Sequence, residues 1–194
     1  MGGVFNYIYN TEGAEKAIEY LDKLKEIVDQ RNYQKNMLED SKWAEENPFL
    51  SSVGSVFITP VEGINAALLS LDSISRKDKI LRSDVYSKGD VWRSAVGEKI
   101  ANDYGGVASF LYGTGMSLGD TALLIGANVA TGGTVSAVLS PTLMGSRAYV
   151  SSLNDALGRG LSDEKAVAFA FSSAAVESIM EEKSLGHLMD LEGI

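Results

Sequence analysis

From Thr11 onward, Ala14, Ala17, Ile18, Leu21, Leu24, Ile27 and Val28 recur at helical spacing while Glu, Asp and Lys fill the positions between them. That is the pattern of an amphipathic helix with one apolar stripe. Thr11 is the expected N-cap, and the helix is expected to reach Glu46, where Asn47-Pro48 stops it, because the residue before a proline is pushed out of the helical region. Beyond Val28 the stripe thins to Tyr33, Met37, Leu38 and Trp43, a portion that needs a partner surface. Thr59-Pro60-Val61-Glu62 reads as the next start, with Thr as N-cap, Pro at the first helical position and Glu closing a capping box, followed by a helix through Leu71. Residues 73 to 90 read as a linker or mobile loop ending in Lys88-Gly89-Asp90. Asp90 then caps a helix carrying Val91, Trp92, Val96 and Ile100.

A different pattern follows. Between Asp103 and Arg147 lie 43 residues with a single charge, Asp120, rich in Gly, Ser, Thr and Ala. Small residues let helix backbones approach closely, so the stretch is expected to form buried, tightly packed helices broken at Gly132-Gly133 and near Pro141. Gly115 and Gly119, four apart, and Gly132 and Gly133 are the candidate close-packing positions. The uncharged run Thr121 to Ser146 spans 26 residues, enough to cross a bilayer by length. Its Gly-Gly pair, its proline and its many Thr, Ser and Asn weigh against a span, since broken helix in lipid leaves backbone groups unpaired. A final helix is clearer: Ser162 caps, Asp163 and Glu164 suit the positive helix end, and Ala166, Val167, Ala170, Phe171 and Ala174 carry it to about Glu182. Ser184 starts a short last helix. The expected fold is all-α, with six to seven helices. A long charged N-terminal helix (1–50), a short helix and linker (51–89) and a Gly/Ala-rich helical core (90–194, its packing built from residues 90 to 183) follow one another.

Charge narrows the function classes. A net charge of −9 and a pI near 4.6 argue against nucleic acid, whose phosphates are held by clustered Lys and Arg. With no cysteine, disulfides, thiol catalysis and Cys-based zinc sites are all excluded, and redox chemistry says nothing about compartment. The N-terminus lacks the basic head and apolar run of a secretory signal. His187 is the only histidine, with Asp190 at helical spacing, so no multi-histidine metal site can form within one chain. Gly113-Thr114-Gly115-Met116-Ser117-Leu118-Gly119 has the spacing G-x-G-x-x-x-G, without a preceding strand or a Lys-Ser pair, and reads as packing rather than a phosphate loop. Asp120 reads as the N-cap of a helix from Thr121, and Glu177, Glu181 and Glu182 as a solvated face. No catalytic residue, cofactor site or metal site is expected. Trp43, Phe49, Trp92 and Phe110 are the candidate interface anchors, core packing being the alternative for each.

Four segments, taken in order, carry a resemblance: Trp43-Ala44-Glu45-Glu46-Asn47-Pro48-Phe49-Leu50-Ser51-Ser52-Val53, Met116-Ser117-Leu118-Gly119-Asp120, the run from Ala156 to Ala166, and the run from Ala174 to Leu185. Together they resemble a helical region of very large multidomain proteins encoded by phages, prophages and conjugative elements of gut Firmicutes. The resemblance covers most of residues 14 to 190 and brings no catalytic residues with it. It implies a virion- or transfer-associated segment, located in the virion or the bacterial host cytoplasm. The function expected is that of a non-enzymatic structural or interaction module, burying apolar helices by self-association or against neighbouring domains of a larger protein. The alternative is a membrane-active segment that inserts residues 105–146 as a hairpin during genome delivery.

Overall fold

The computed structural model describes the backbone over residues 2–131 and 136–192, and side chains over 3–119, 122 and 145–180. Six helices follow one another: α1 (Gly2–Glu12), α2 (Ala14–Glu46), α3 (Pro48–Arg76), α4 (Lys88–Thr131), α5 (Ser136–Gly158) and α6 (Asp163–Glu192). The fold is all-α, and the described residues include no strand.

The first break corrects an expectation. Thr11 does not cap the long helix; it lies in the last turn of α1, its hydroxyl donating back to the Tyr7 carbonyl at 2.7 Å. The chain turns at Gly13 (φ 94°), a conformation that a side chain would strain. α2 then ends as expected, with the Asn47 N–H and side-chain amide both donating to the Trp43 carbonyl, at 2.9 and 3.0 Å. Only Ala17 and Ala44 of its 33 residues are buried, so Ile18, Leu21, Ile27 and Val28 remain exposed.

α3 corrects a second expectation, because it runs straight through Thr59-Pro60. A proline inside a helix removes its own N–H and orphans the carbonyl four residues earlier. Here that carbonyl is Val56, and the Arg147 guanidinium donates to it at 3.4 Å from α5. Glu62 does not close a capping box on its own helix either. Its carboxylate accepts the Ser87 hydroxyl at 2.7 Å and the Lys88 and Gly89 N–H groups at 3.2 and 3.1 Å, so it caps α4 across the fold. Ser87 supplies the local N-cap, its oxygen accepting the Asp90 N–H at 3.2 Å. Asp90 therefore sits inside the first turn, paired with Arg93.

Nor is the connection from Lys77 to Ser87 a loose linker. It buries Ile80, Leu81, Val85 and Ser87, and the Asp163 carboxylate at the start of α6 accepts the Ile80 N–H at 2.6 Å. The principal core joins Ile80 and Val85 to Ala66 of α3, Tyr149, Val150, Leu153 and Ala156 of α5, and Ala166, Val167 and Ala170 of α6. It thus draws on both sides of the 89/90 boundary. A smaller cluster holds Ala44, Ala95 and Val96, flanked by Trp92, Ile100 and Tyr112.

Within α4, Gly105 (φ 83°, ψ 179°) interrupts the helical backbone and folds the second part back on the first. A straight helix would leave Gly97 and Tyr112 about 22 Å apart, yet the Tyr112 ring lies 3.7 Å from where a Gly97 Cβ would stand and its hydroxyl is 3.2 Å from Ser52 Oγ. Two further expectations fail on backbone grounds: α5 passes through Pro141 unbroken, and α6 continues past Ser184 to Glu192 without a separate last helix. The low-charge stretch is also not uniformly buried. In its described first part, Tyr104, Val107, Phe110, Leu111 and Leu118 are all exposed. Nor does a helix start at Thr121, since α4 passes through Asp120 without a break; the readings made for Gly132 and Gly133, and for the side chains of 123–144, Glu181, Glu182, His187 and Asp190, lie outside the described residues.

Candidate interaction surface

α3 carries two stripes at the helical period, and the smaller residues face inward. Ser51, Ser55, Thr59, Gly63, Ala66, Ser70 and Ser73 are buried, with Val56 and Pro60 beside them. Leu50, Val53, Phe57, Val61, Ile64, Leu68 and Leu71, at three- and four-residue spacing on the opposite side, are exposed, as is Phe49 at 77%. Burying these hydroxyls is tolerated where they donate to carbonyls of α3 or its N-cap: Ser51 to Asn47 at 2.9 Å, Ser55 to Ser52 at 2.9 Å, Thr59 to Ser55 at 2.7 Å, Ser70 to Ala66 at 2.6 Å. The inward face thereby offers small, satisfied groups to its neighbours. At Gly63 the approach is backbone to backbone, since a Cβ there would stand 2.5 Å from the Ser146 carbonyl oxygen of α5. Outward, α3 is the one helix among the described residues long and apolar enough to cross a membrane, its most apolar window having a mean hydropathy of 1.3.

The four aromatic anchors separate into two kinds. Trp43 and Trp92 pack on each other, with ring centroids 4.6 Å apart, and Lys88 lies 5.5 Å over Trp92. Gly54 clears the space for this indole, because a Cβ there would reach within 2.8 Å of it. This pair joins α2 to α4 inside the chain. Phe49 and Phe110 are 77% and 72% exposed and remain available to a partner.

Gly115 and Gly119 correct the close-packing expectation for this chain by itself. Both are exposed, and no described atom lies within 4 Å of a Cβ built on either. The close approaches are made instead at Gly54, Gly63, Gly89, Gly145 and Gly158, against Trp92, Ser146, Thr59, Ser178 and Arg82.

Polar groups in the same region knit elements together. Asp40 of α2 accepts the Tyr86 hydroxyl at 2.5 Å and pairs with Lys88 at 3.1 Å, while Tyr33 meets Tyr86 edge-on at 5.6 Å. Burial, and then the Asp40 carboxylate, push the Tyr86 phenol well above its ordinary range. Two open clefts flank α4. One, of about 400 Å³, lies among Tyr33, Met37, Tyr86, Asp90 and Glu98; the other, of about 440 Å³, lies among Arg93, Tyr112, Met116, Arg147, Ser151 and Glu177. Neither brings a histidine or a thiol to a hydroxyl, and the described residues contain no cluster of three or more metal-ligating side chains.

Comparison with family models, curated proteins and solved structures gives no match. The resemblance to mobile-element proteins rests on the sequence motifs alone.

The outward face of α3 was legible as a spacing, Leu50 to Leu71, but a stripe of large apolar residues ordinarily reads as the core side. The signal that could have reversed it is the opposing row Ser51, Ser55, Thr59, Gly63, Ala66, Ser70, whose members are all small.

Proposed function

We propose that this chain is a non-enzymatic assembly module of a phage or mobile-element protein, virion-associated, that holds its partners through apolar helix faces. The observation that carries the reading is the reversed packing of α3, which leaves its largest apolar side chains in water. Single exposed apolar residues are ordinary on a protein surface, whereas a continuous row of seven marks a contact surface. The exposed stripe Ile18, Leu21, Ile27 and Val28 on α2 adds a second such surface. The mobile-element context comes from the resemblance of the motif segments, and the acidic balance supports protein rather than nucleic-acid partners.

A second reading keeps the membrane in view because Tyr104, Val107, Phe110, Leu111 and Leu118 form an exposed apolar run in the uncharged stretch. In that reading residues 105–146 insert during genome delivery. Light scattering and vesicle flotation on the purified chain separate the two. Association in buffer without flotation is the expected result; a monomer at high concentration that floats with vesicles would replace the first reading by the second.

A further inference from the structure

Resting on the assembly reading, we infer that the outward face of α3 pairs with the same face of a second copy, antiparallel and centred on Val61. Three observations select this occupant. The first is area: nine large apolar side chains of α3, from Phe49 to Leu71, are between 37% and 77% exposed, on the order of 900 Å² in all, against ~800 Å² per partner in a standard interface. The second is spacing. The row Phe57, Val61, Ile64, Leu68, Leu71 alternates four- and three-residue steps, the seam that packs against another helix bearing the same seam. A two-fold pair lets one surface serve both partners and closes at two copies.

The third is charge. Between Leu50 and Leu71 the only ionisable side chain is Glu62, and it faces inward, holding Ser87, Lys88 and Gly89. Two copies therefore meet along this seam without burying like charges. Beyond it, Glu45 and Glu46 precede α3, while at its other end Arg76 pairs with Asp72 and Asp78 and Lys79 with Glu26, and Lys77 adds a further positive charge. Antiparallel pairing about Val61 turns the α2–α3 junction of one copy, with Glu45 and Glu46, toward the Arg76–Lys77 end of the other, whereas parallel pairing sets each end against its own sign.

The same geometry weighs against lipid as the occupant, although the row, about 32 Å long, matches a bilayer core. Gly89 packs on Thr59 near the middle of α3, so Lys88, Asp90 and Arg93 stand beside the level that would lie deep in hydrocarbon. Charges at that depth are costly.

The test exploits the absence of cysteine from the chain. Val61→Cys is expected to form an intermolecular disulfide under mild oxidation, because residues on the two-fold axis meet themselves. Leu50→Cys and Leu71→Cys are expected to cross-link only when the two variants are mixed. In sedimentation equilibrium the unmodified chain is expected at twice its 20.7 kDa mass. The double variant Phe57→Glu, Ile64→Glu is expected at the single mass with unchanged helical circular dichroism, since both positions are exposed in one chain. Self-cross-linking of Leu50→Cys and Leu71→Cys would overturn the antiparallel pair, as would a monomeric chain that floats with phosphatidylcholine–phosphatidylglycerol vesicles. If the Phe57→Glu, Ile64→Glu variant still associates and no cysteine variant cross-links, α3 pairing is wrong while assembly through another face stands.

Discussion

Gly63 is the point at which α3 comes nearest to α5, and its missing side chain is what allows the contact. An alanine there would place its Cβ 2.7 Å from the Ser146 carbonyl carbon as well as against the oxygen. Backbone cannot step aside as a side-chain tip can, so Gly63→Ala is expected to lower stability by about 1–3 kcal/mol in urea unfolding. Gly115→Ala is the matched control. It sits in helix, exposed and with no described neighbour within 4 Å, and is expected to gain up to about 1 kcal/mol from helix propensity alone. Gly115 stands in the run Gly113-Thr114-Gly115 and Gly63 between Glu62 and Ile64, yet it is Gly63 that the packing requires to lack a side chain. Tyr86 gives the residue-scale pH dependence. Its folded pKa lies above the unfolded value near 10, through burial and the Asp40 carboxylate that accepts its hydroxyl. Above pH ~10 the unfolded chain loses this proton while the folded one keeps it, so the contribution is present below that pH and is lost as pH rises further. Tyr86→Phe is expected to flatten the alkaline limb of a stability-against-pH curve and to cost about 1–3 kcal/mol at pH 7.

At the scale of elements, two helix interruptions illustrate what local sequence can and cannot announce. Asn47-Pro48 ends α2 where the residues said it would, because a proline constrains the residue before it whatever the surroundings. Pro60 does not end α3, because Arg147, 87 positions further along the chain, donates to the carbonyl the proline leaves open. Gly105 is the converse: one glycine among several, yet the one whose backbone turns α4 on itself at φ 83° and ψ 179°. Only glycine occupies that region readily, so Gly105→Ala is expected to cost about 1–3 kcal/mol. The same substitution should loosen Tyr112 from Gly97 and Ser52, read as reduced near-ultraviolet circular dichroism with helical content kept. The start of α6 was readable from Ser162, Asp163 and Glu164. The cap of α4 was not, since its carboxylate arrives from Glu62 on another helix.

Across the whole molecule, burial is concentrated at one end of the chain's contacts. α5, α6 and the 77–87 connection share the main core with α3, whereas α2 buries two alanines and stands largely in solvent. Native-state hydrogen exchange is therefore expected to show α5 amides around Tyr149 to Leu153 opening last, and α1 with the first half of α2 opening first, by several orders of magnitude in rate. Uniform protection from α1 to α5 would contradict this distribution. The sequence alone determined that the chain is helical, acidic and without thiol or multi-histidine chemistry, because period, charge and composition are properties of residues taken in order. The inward face of α6 was readable in the same way, since Ala166, Val167 and Ala170 do line the core, but which face of α3 lies inside was decided only by the tertiary structure. Closeness of approach chose the Ser, Thr and Gly row of α3 for the interior and left Phe57, Val61 and Leu68 outside, a choice that the small row permits but that the neighbouring backbones of α4 and α5 make, at Thr59 and Gly63.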